Sequence, residues 1–226
     1  MTNESSGARN YPEIARRLAE RYGRPTWRPA LPPVDELVNT ILSQNTNDLN
    51  RDQAFAALRK RFSTWEAVRD APKQEVIEAI RPAGLAVQKG PRIQAALRRI
   101  TETQGTITLD FLRDMPIDQA KAWLMALDGV GPKTTAIVLL FAMNRPAFPV
   151  DTHVFRVTGR LGLIPPRVTV DRAHEILAAL VPPEDYYKVH LNIIRHGREV
   201  CHARRPNCEQ CPLTDLCPYF RQRVLT

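Results

Sequence analysis

Apolar residues recur along most of this chain at intervals of three and four, the spacing that gives a helix one buried stripe. Phe55, Leu58 and Phe62 form such a stripe in a segment that Asn47 or Asp48 is placed to cap. Ile117, Ala120, Leu124 and Leu127 form another over residues 116–127. Further helices are predicted over 12–22, 34–43, 64–69, 73–80, 91–102, 151–161, 170–180 and 183–198. Residues 134–143 are apolar nearly all round, as in a helix at the centre of a core. Ile107 and Leu109 alternate with threonine, but the run is too short for a sheet. With no fixed repeat and no low-complexity segment, the fold class read from the pattern is all-α.

Charge adds a partner class. The 226 residues carry a formal net charge of +8, a balance that favours polyanions such as nucleic acid. Only six of the 32 cationic residues are lysine, so a lysine marks a place where arginine does not substitute. No run of about 18 apolar residues suggests a membrane span. The polar start lacks the basic-then-apolar order of a secretory signal, so a soluble cytoplasmic protein is expected.

Two short segments carry candidate chemistry. In LDGVGPKT (127–134), Gly129 and Gly131 permit positive φ and close backbone approach, and Pro132 suits the first position of a new helix. Unpaired N–H groups there, with Val130 between the glycines, suit a phosphate; a plain helix-helix turn has the same sequence needs. Lys133 opens an otherwise apolar helix, where a cation faces the positive end of the dipole. Its amine is a nucleophile when neutral, which arginine never is; a lysine reaching to solvent or holding a phosphate also fits. Asp151, before a predicted helix, reads as an N-cap, a role compatible with a rigidly held catalytic carboxylate. Ala83-Gly84-Leu85 is a second glycine-bearing turn before a helix.

All four cysteines lie near one end, spaced Cys201-x6-Cys208-x2-Cys211-x5-Cys217. Such clustering points to a metal centre and away from a disulfide framework. Structural zinc and a [4Fe–4S] cluster both remain open, the wider gaps favouring the cluster. Arg204 and Arg205, between the first two cysteines, form a basic loop able to touch backbone phosphate.

Taken in order, the LDGVGPKT hairpin, the VDTHVFRV segment (150–157), the IRHGR helix end (194–198) and the cysteine spacing resemble the endonuclease III family. These are helix-hairpin-helix DNA glycosylases with apurinic lyase activity, and the resemblance runs from about Arg28 to Phe220. It implies two helical lobes with DNA in the groove between them. A six-helix barrel would span 31–147, and an iron-sulfur lobe would combine 1–30 with 148–226. It implies that Lys133 is the nucleophile, Asp151 the catalytic carboxylate, and Cys201, Cys208, Cys211 and Cys217 the [4Fe–4S] ligands. Asn45 and Leu85 fall where the family fills the gap left by an extruded nucleotide or pushes on the orphan base. Gly129, Val130 and Gly131 fall on the phosphate-holding hairpin.

The implied function is excision of oxidised pyrimidines from double-stranded DNA in base excision repair, with strand cutting by β-elimination at damaged or abasic sites, by a monomer acting on nucleoid DNA. Asp128 stands where the family usually has proline, Pro132 where it often has a basic residue, and Asn45 where it commonly has glutamine. A carboxylate beside the hairpin should weaken phosphate binding, and a shorter amide should alter lesion preference. Three alternatives are a monofunctional mismatch, uracil or alkylated-base glycosylase of the same superfamily, a non-catalytic hairpin DNA-binding protein, and a zinc-stabilised interaction protein. Monofunctional relatives generally lack the hairpin lysine, and a hairpin that only grips DNA needs neither Lys133 nor Asp151.

Overall fold

The computed structural model describes residues 6–224; residues 1–5 of the polar start and residues 225–226 lie outside them. The helices run α1 (Ser6–Tyr22), α2 (Pro33–Ser43), α3 (Asp48–Arg61), α4 (Trp65–Asp70), α5 (Lys73–Ala79) and α6 (Ala86–Gln104). They continue as α7 (Ile117–Met125), α8 (Pro132–Ile137), α9 (Thr152–Arg160), α10 (Val170–Leu180), α11 (Tyr186–Glu199) and α12 (Pro218–Val224). No strand occurs among the described residues, so the fold is all-α, and none of their helices is long and apolar enough to cross a membrane.

The chain divides into two compact units, one of residues 29–145 and one joining residues 1–28 to 146–226. In the first, α2 is central and touches α3, α6 and α8. Its Leu37, Val38, Ile41 and Leu42 are wholly buried, each contributing about 1.5–3 kcal/mol relative to exposure. Asn47 caps α3 by accepting from the Asn50 amide at 2.8 Å, and Thr64 caps α4 through the Ala67 amide at 3.1 Å. The apolar run after the hairpin is buried, but only its first part is α-helical; Val138–Ala142 forms a π-helical turn. On α3 it is Ala54 and Leu58 that are fully buried, while Phe55 tilts against Trp65 at 6.3 Å.

Two helices begin earlier than the sequence pattern predicts. α6 starts at Ala86 and carries Pro91 inside it, and α1 starts at Ser6 and carries Pro12. A proline signals a helix start because its missing N–H costs nothing there; each of these helices instead gives up one interior bond. α12 was not predicted.

In the second unit α11 packs on α9 and on α1. Gly197 on α11 permits the contact with α9, since a Cβ there would lie 3.1 Å from His153 Cβ and 3.2 Å from Arg156 Nη2. The end of α1 is tied to α11 where Asn192 donates to the Gly23 carbonyl at 3.0 Å and Tyr22 meets His196 Nδ1 at 3.1 Å.

Candidate functional site

The hairpin joins α7 to α8. Gly129 sits at φ +74°, which an L side chain rarely adopts, and a Cβ there would lie 2.6 Å from Arg92 Cδ. Gly131 is extended (φ −100°, ψ −175°), so any residue could take its backbone shape, and the space where its Cβ would stand is open. Val130 has a different task from its neighbours: its side chain is buried and its N–H closes the turn onto the Leu127 carbonyl at 3.1 Å. Lys133 follows Pro132 on the first turn of α8. It is half-buried, and its amine makes no hydrogen bond or ion pair among the described residues.

The same unit brings Asn45 and Leu85 into view as exposed residues with left-handed backbone, at φ 52° and 50°. Asparagine tolerates that conformation; leucine does so at a cost of roughly 1–2 kcal/mol. Leu85 is also 47% exposed, so neither its backbone nor its side chain is where leucine is most stable.

Sequence reasoning missed what fixes these turns. Gln44 Nε2 donates to the Gly129 carbonyl at 2.9 Å and to Thr134 Oγ1 at 3.4 Å, fastening the segment before Asn45 to the hairpin. Arg92 lies over Gly129 with its Nε 3.7 Å from an Asp128 carboxylate oxygen. The carboxylate expected to oppose phosphate binding is therefore matched by a neighbouring cation.

In the other unit, Asp151 caps α9, one carboxylate oxygen accepting from the Val154 amide at 2.7 Å. The second oxygen takes no hydrogen bond among the described residues. One group is thus fixed and still able to face a developing positive charge.

The four cysteines form no disulfide and line one pocket with Val157, Leu161, Val200 and Phe220. Among the described residues no three His, Cys, Asp or Glu side chains gather closely enough to hold one metal ion. Thiols spread round a cavity fit a [4Fe–4S] cluster, in which each iron takes one, better than a zinc whose ligands sit about 2.3 Å from one point. Burial pushes the Cys211 thiol up to about 11, so binding a cluster there must release its proton.

Arginines hold this loop. Arg160 donates to Cys201 Sγ at 3.2 Å, to the His202 carbonyl at 2.7 Å and to the Ala203 carbonyl at 3.0 Å, and lies over the Tyr219 ring. Arg156 donates to the Cys201 carbonyl at 3.0 Å, and Arg17 to the Pro212 carbonyl at 2.9 Å. Buried His196 lies 3.6 Å from Cys211 Sγ. Arg204 and Arg205 are exposed, Arg205 with φ 51°.

A family model for the HhH-GPD superfamily base excision DNA repair proteins matches residues 38–183, and one for the iron-sulfur binding domain of endonuclease III matches residues 201–217. Endonuclease III of Thermotoga maritima is 32% identical over 211 residues, covering 93% of this chain and 93% of its own length. A longer relative in Arabidopsis thaliana is 34% identical over 177 residues; this chain spans only 59% of that protein. The structure of a non-covalent endonuclease III–DNA complex superposes with a TM-score of 0.82 at 27% identity, covering 97% of this chain and 99% of that one.

Proposed function

The chain belongs to the HhH-GPD superfamily of base excision DNA repair proteins, in its endonuclease III branch, and from that premise we propose that Lys133 and Asp151 carry its glycosylase and lyase chemistry. The protein is a DNA glycosylase/AP lyase whose partner is DNA, and its cofactor is a [4Fe–4S] cluster. The observation that carries the residue assignment is Lys133 itself, a half-buried amine at a helix start with no hydrogen-bond or ion-pair partner among the described residues.

The substrate we propose is an oxidised pyrimidine in duplex DNA. A base inside the stack is out of reach, so its nucleotide must first be extruded, at a cost of a few kcal/mol. Asn45 and Leu85 enter the duplex to hold that state open. Attack of the Lys133 amine on C1′ forms a C–N bond as the bond to the base breaks. The free oxygen of Asp151 stabilises the positive sugar of the transition state, and the proton released by the amine goes to the departing base. Ring opening leaves a Schiff base, which acidifies the C2′ hydrogen; its loss expels the 3′ phosphate. The hairpin about Gly129 and Gly131 holds a neighbouring phosphate, with Arg204 and Arg205 reaching the backbone elsewhere.

Cys201, Cys208, Cys211 and Cys217 would hold the cluster, which when bound cross-links the loop through four thiolates. We infer that the protein acts as a monomer on nucleoid DNA in the cytoplasm, its basic charge supporting the DNA partner alone. Borohydride trapping tests the assignment. A covalent complex should form with DNA bearing an oxidised pyrimidine or abasic site and vanish in Lys133→Gln. Trapping that survives the substitution would overturn it.

A further inference from the structure

One buried amine joins the two turns that carry Asn45 and Leu85. Lys89, on α6, is 1% exposed, and its Nζ donates to the Leu42 carbonyl and to the Ala83 carbonyl, each at 2.8 Å. Leu42 stands in the last turn of α2 and Ala83 at the end of a short 3₁₀ turn (Arg81–Ala83), where the regular ladder leaves carbonyls without an N–H. The Thr46 amide, which would have served Leu42, bonds to Ser43 instead. Leu42 leads into Ser43-Gln44-Asn45, and Ala83 leads into Gly84-Leu85.

A methyl-tipped side chain would fill the same space without the cost of burying an ammonium. What only the amine does is hold two carbonyls of different turns at one fixed separation. Burial draws its pKa below the usual lysine range, in keeping with a site that keeps water out. Gln44 carries the connection onward to the hairpin through the Gly129 carbonyl.

We infer that Lys89 is a positioning residue which locks the Asn45 loop and the Leu85 turn into one rigid element, so that both side chains enter the duplex together. It touches no substrate. It acts by holding Gly84 (φ 66°) and Leu85 (φ 50°) in consecutive positive-φ conformations, from which an untethered turn would relax. The inference rests on the proposed entry of Asn45 and Leu85 into the duplex.

The test is a mutant cycle read on the full-length, cluster-loaded protein. Lys89→Met should lower kcat/KM on a lesion-bearing duplex on the order of tenfold, the scale expected when reacting groups shift by a fraction of an ångström. In an Asn45→Ala/Leu85→Ala background the same substitution should cost almost nothing further. A 2-aminopurine opposite the lesion should also brighten less on binding Lys89→Met than on binding the parent. Equal losses in both backgrounds would overturn the inference, because a purely structural lysine harms both alike. If Lys89→Met does not fold, Lys89→Gln, which keeps one donor, should show a smaller loss with the same non-additivity. Asn45→Ala and Leu85→Ala that are themselves silent would sink the underlying reading of those turns and leave the mutant cycle flat, a pattern distinct from equal losses.

Discussion

The hairpin and the cysteine loop solve opposite problems with similar materials. At the hairpin the backbone is gripped and the side chain is left alone: Gln44 holds the Gly129 carbonyl and Arg92 covers Gly129, while the Lys133 amine bonds to nothing among the described residues. In the cysteine loop the grip reaches the functional atom itself, because Arg160 donates to Cys201 Sγ as well as to two carbonyls of the loop. A group that must form a bond to something foreign is kept free of internal partners. A group that must hold a fixed guest gains from donors that pre-set its position. Asp151 combines both arrangements in one carboxylate, one oxygen committed to the α9 cap and the other open.

The contrast breaks most visibly at Lys133. Lys133→Gln should cut strand cleavage on the order of 1,000-fold or more while leaving affinity for abasic-analogue DNA within about threefold. Single-turnover cleavage and a binding titration read the two separately. If affinity falls as far as cleavage does, the hairpin lysine is a holding group like those of the cysteine loop. In that loop, Cys217→Ala should remove a cluster ligand and destabilise the unit by about 3 kcal/mol. Loss of visible absorbance and of bound iron, alongside a denaturant midpoint, would register it.

Asp151→Asn separates the two jobs of that residue. Asparagine caps a helix about as well as aspartate, so stability should move by less than about 0.5 kcal/mol. Base release should nonetheless fall on the order of 100-fold. A fall in melting temperature proportional to the lost activity would show that the carboxylate only caps. Gly129→Ala should cost about 1–2 kcal/mol, since it meets both a positive φ and the Arg92 side chain. Thermal unfolding measures it.

The smallest effect comes from Glu36, a buried carboxyl in the hairpin's unit that accepts a hydrogen bond from Thr40 Oγ1 at 3.3 Å. Burial raises its pKa above the ordinary carboxylate range. The native state therefore holds this proton more tightly than the unfolded chain. That contribution is present below the unfolded pKa and is lost as pH rises through the raised one. Glu36→Gln should accordingly stabilise by about 0.5–1 kcal/mol near neutrality and by less at pH 5. Denaturant curves at the two pH values would expose the opposite trend if burial did not dominate.

Much of this arrangement was legible because it is local. The caps at Asn47 and Asp151 depend on residues three positions away, and the cysteines announce themselves by spacing. Gln44 and Arg160 left no such trace. Their acceptors lie far along the chain, and neither periodicity nor composition records a contact of that kind. Lys89 left no trace for a related reason: sequence does not tell a buried lysine from a solvated one, and only the packed unit reveals that it is buried. Prolines misplaced two helix starts because their preference for first turns is only local; in α6 it is overruled by packing, since Ala86, Lys89 and Gly90 ahead of Pro91 are buried.

The unit that houses the cysteines takes α1 from the beginning of the chain and α9 to α12 from the end. During synthesis α1 is made long before α11, against which it packs and which follows more than 160 residues later. At about 5–20 residues per second that is a wait of roughly 10–30 s. The unit of residues 29–145 has all its parts made before that interval ends. Maturation thus has a built-in order: the hairpin's unit can fold on the nascent chain before Cys201, Cys208, Cys211 and Cys217, which would hold the cluster, have been made.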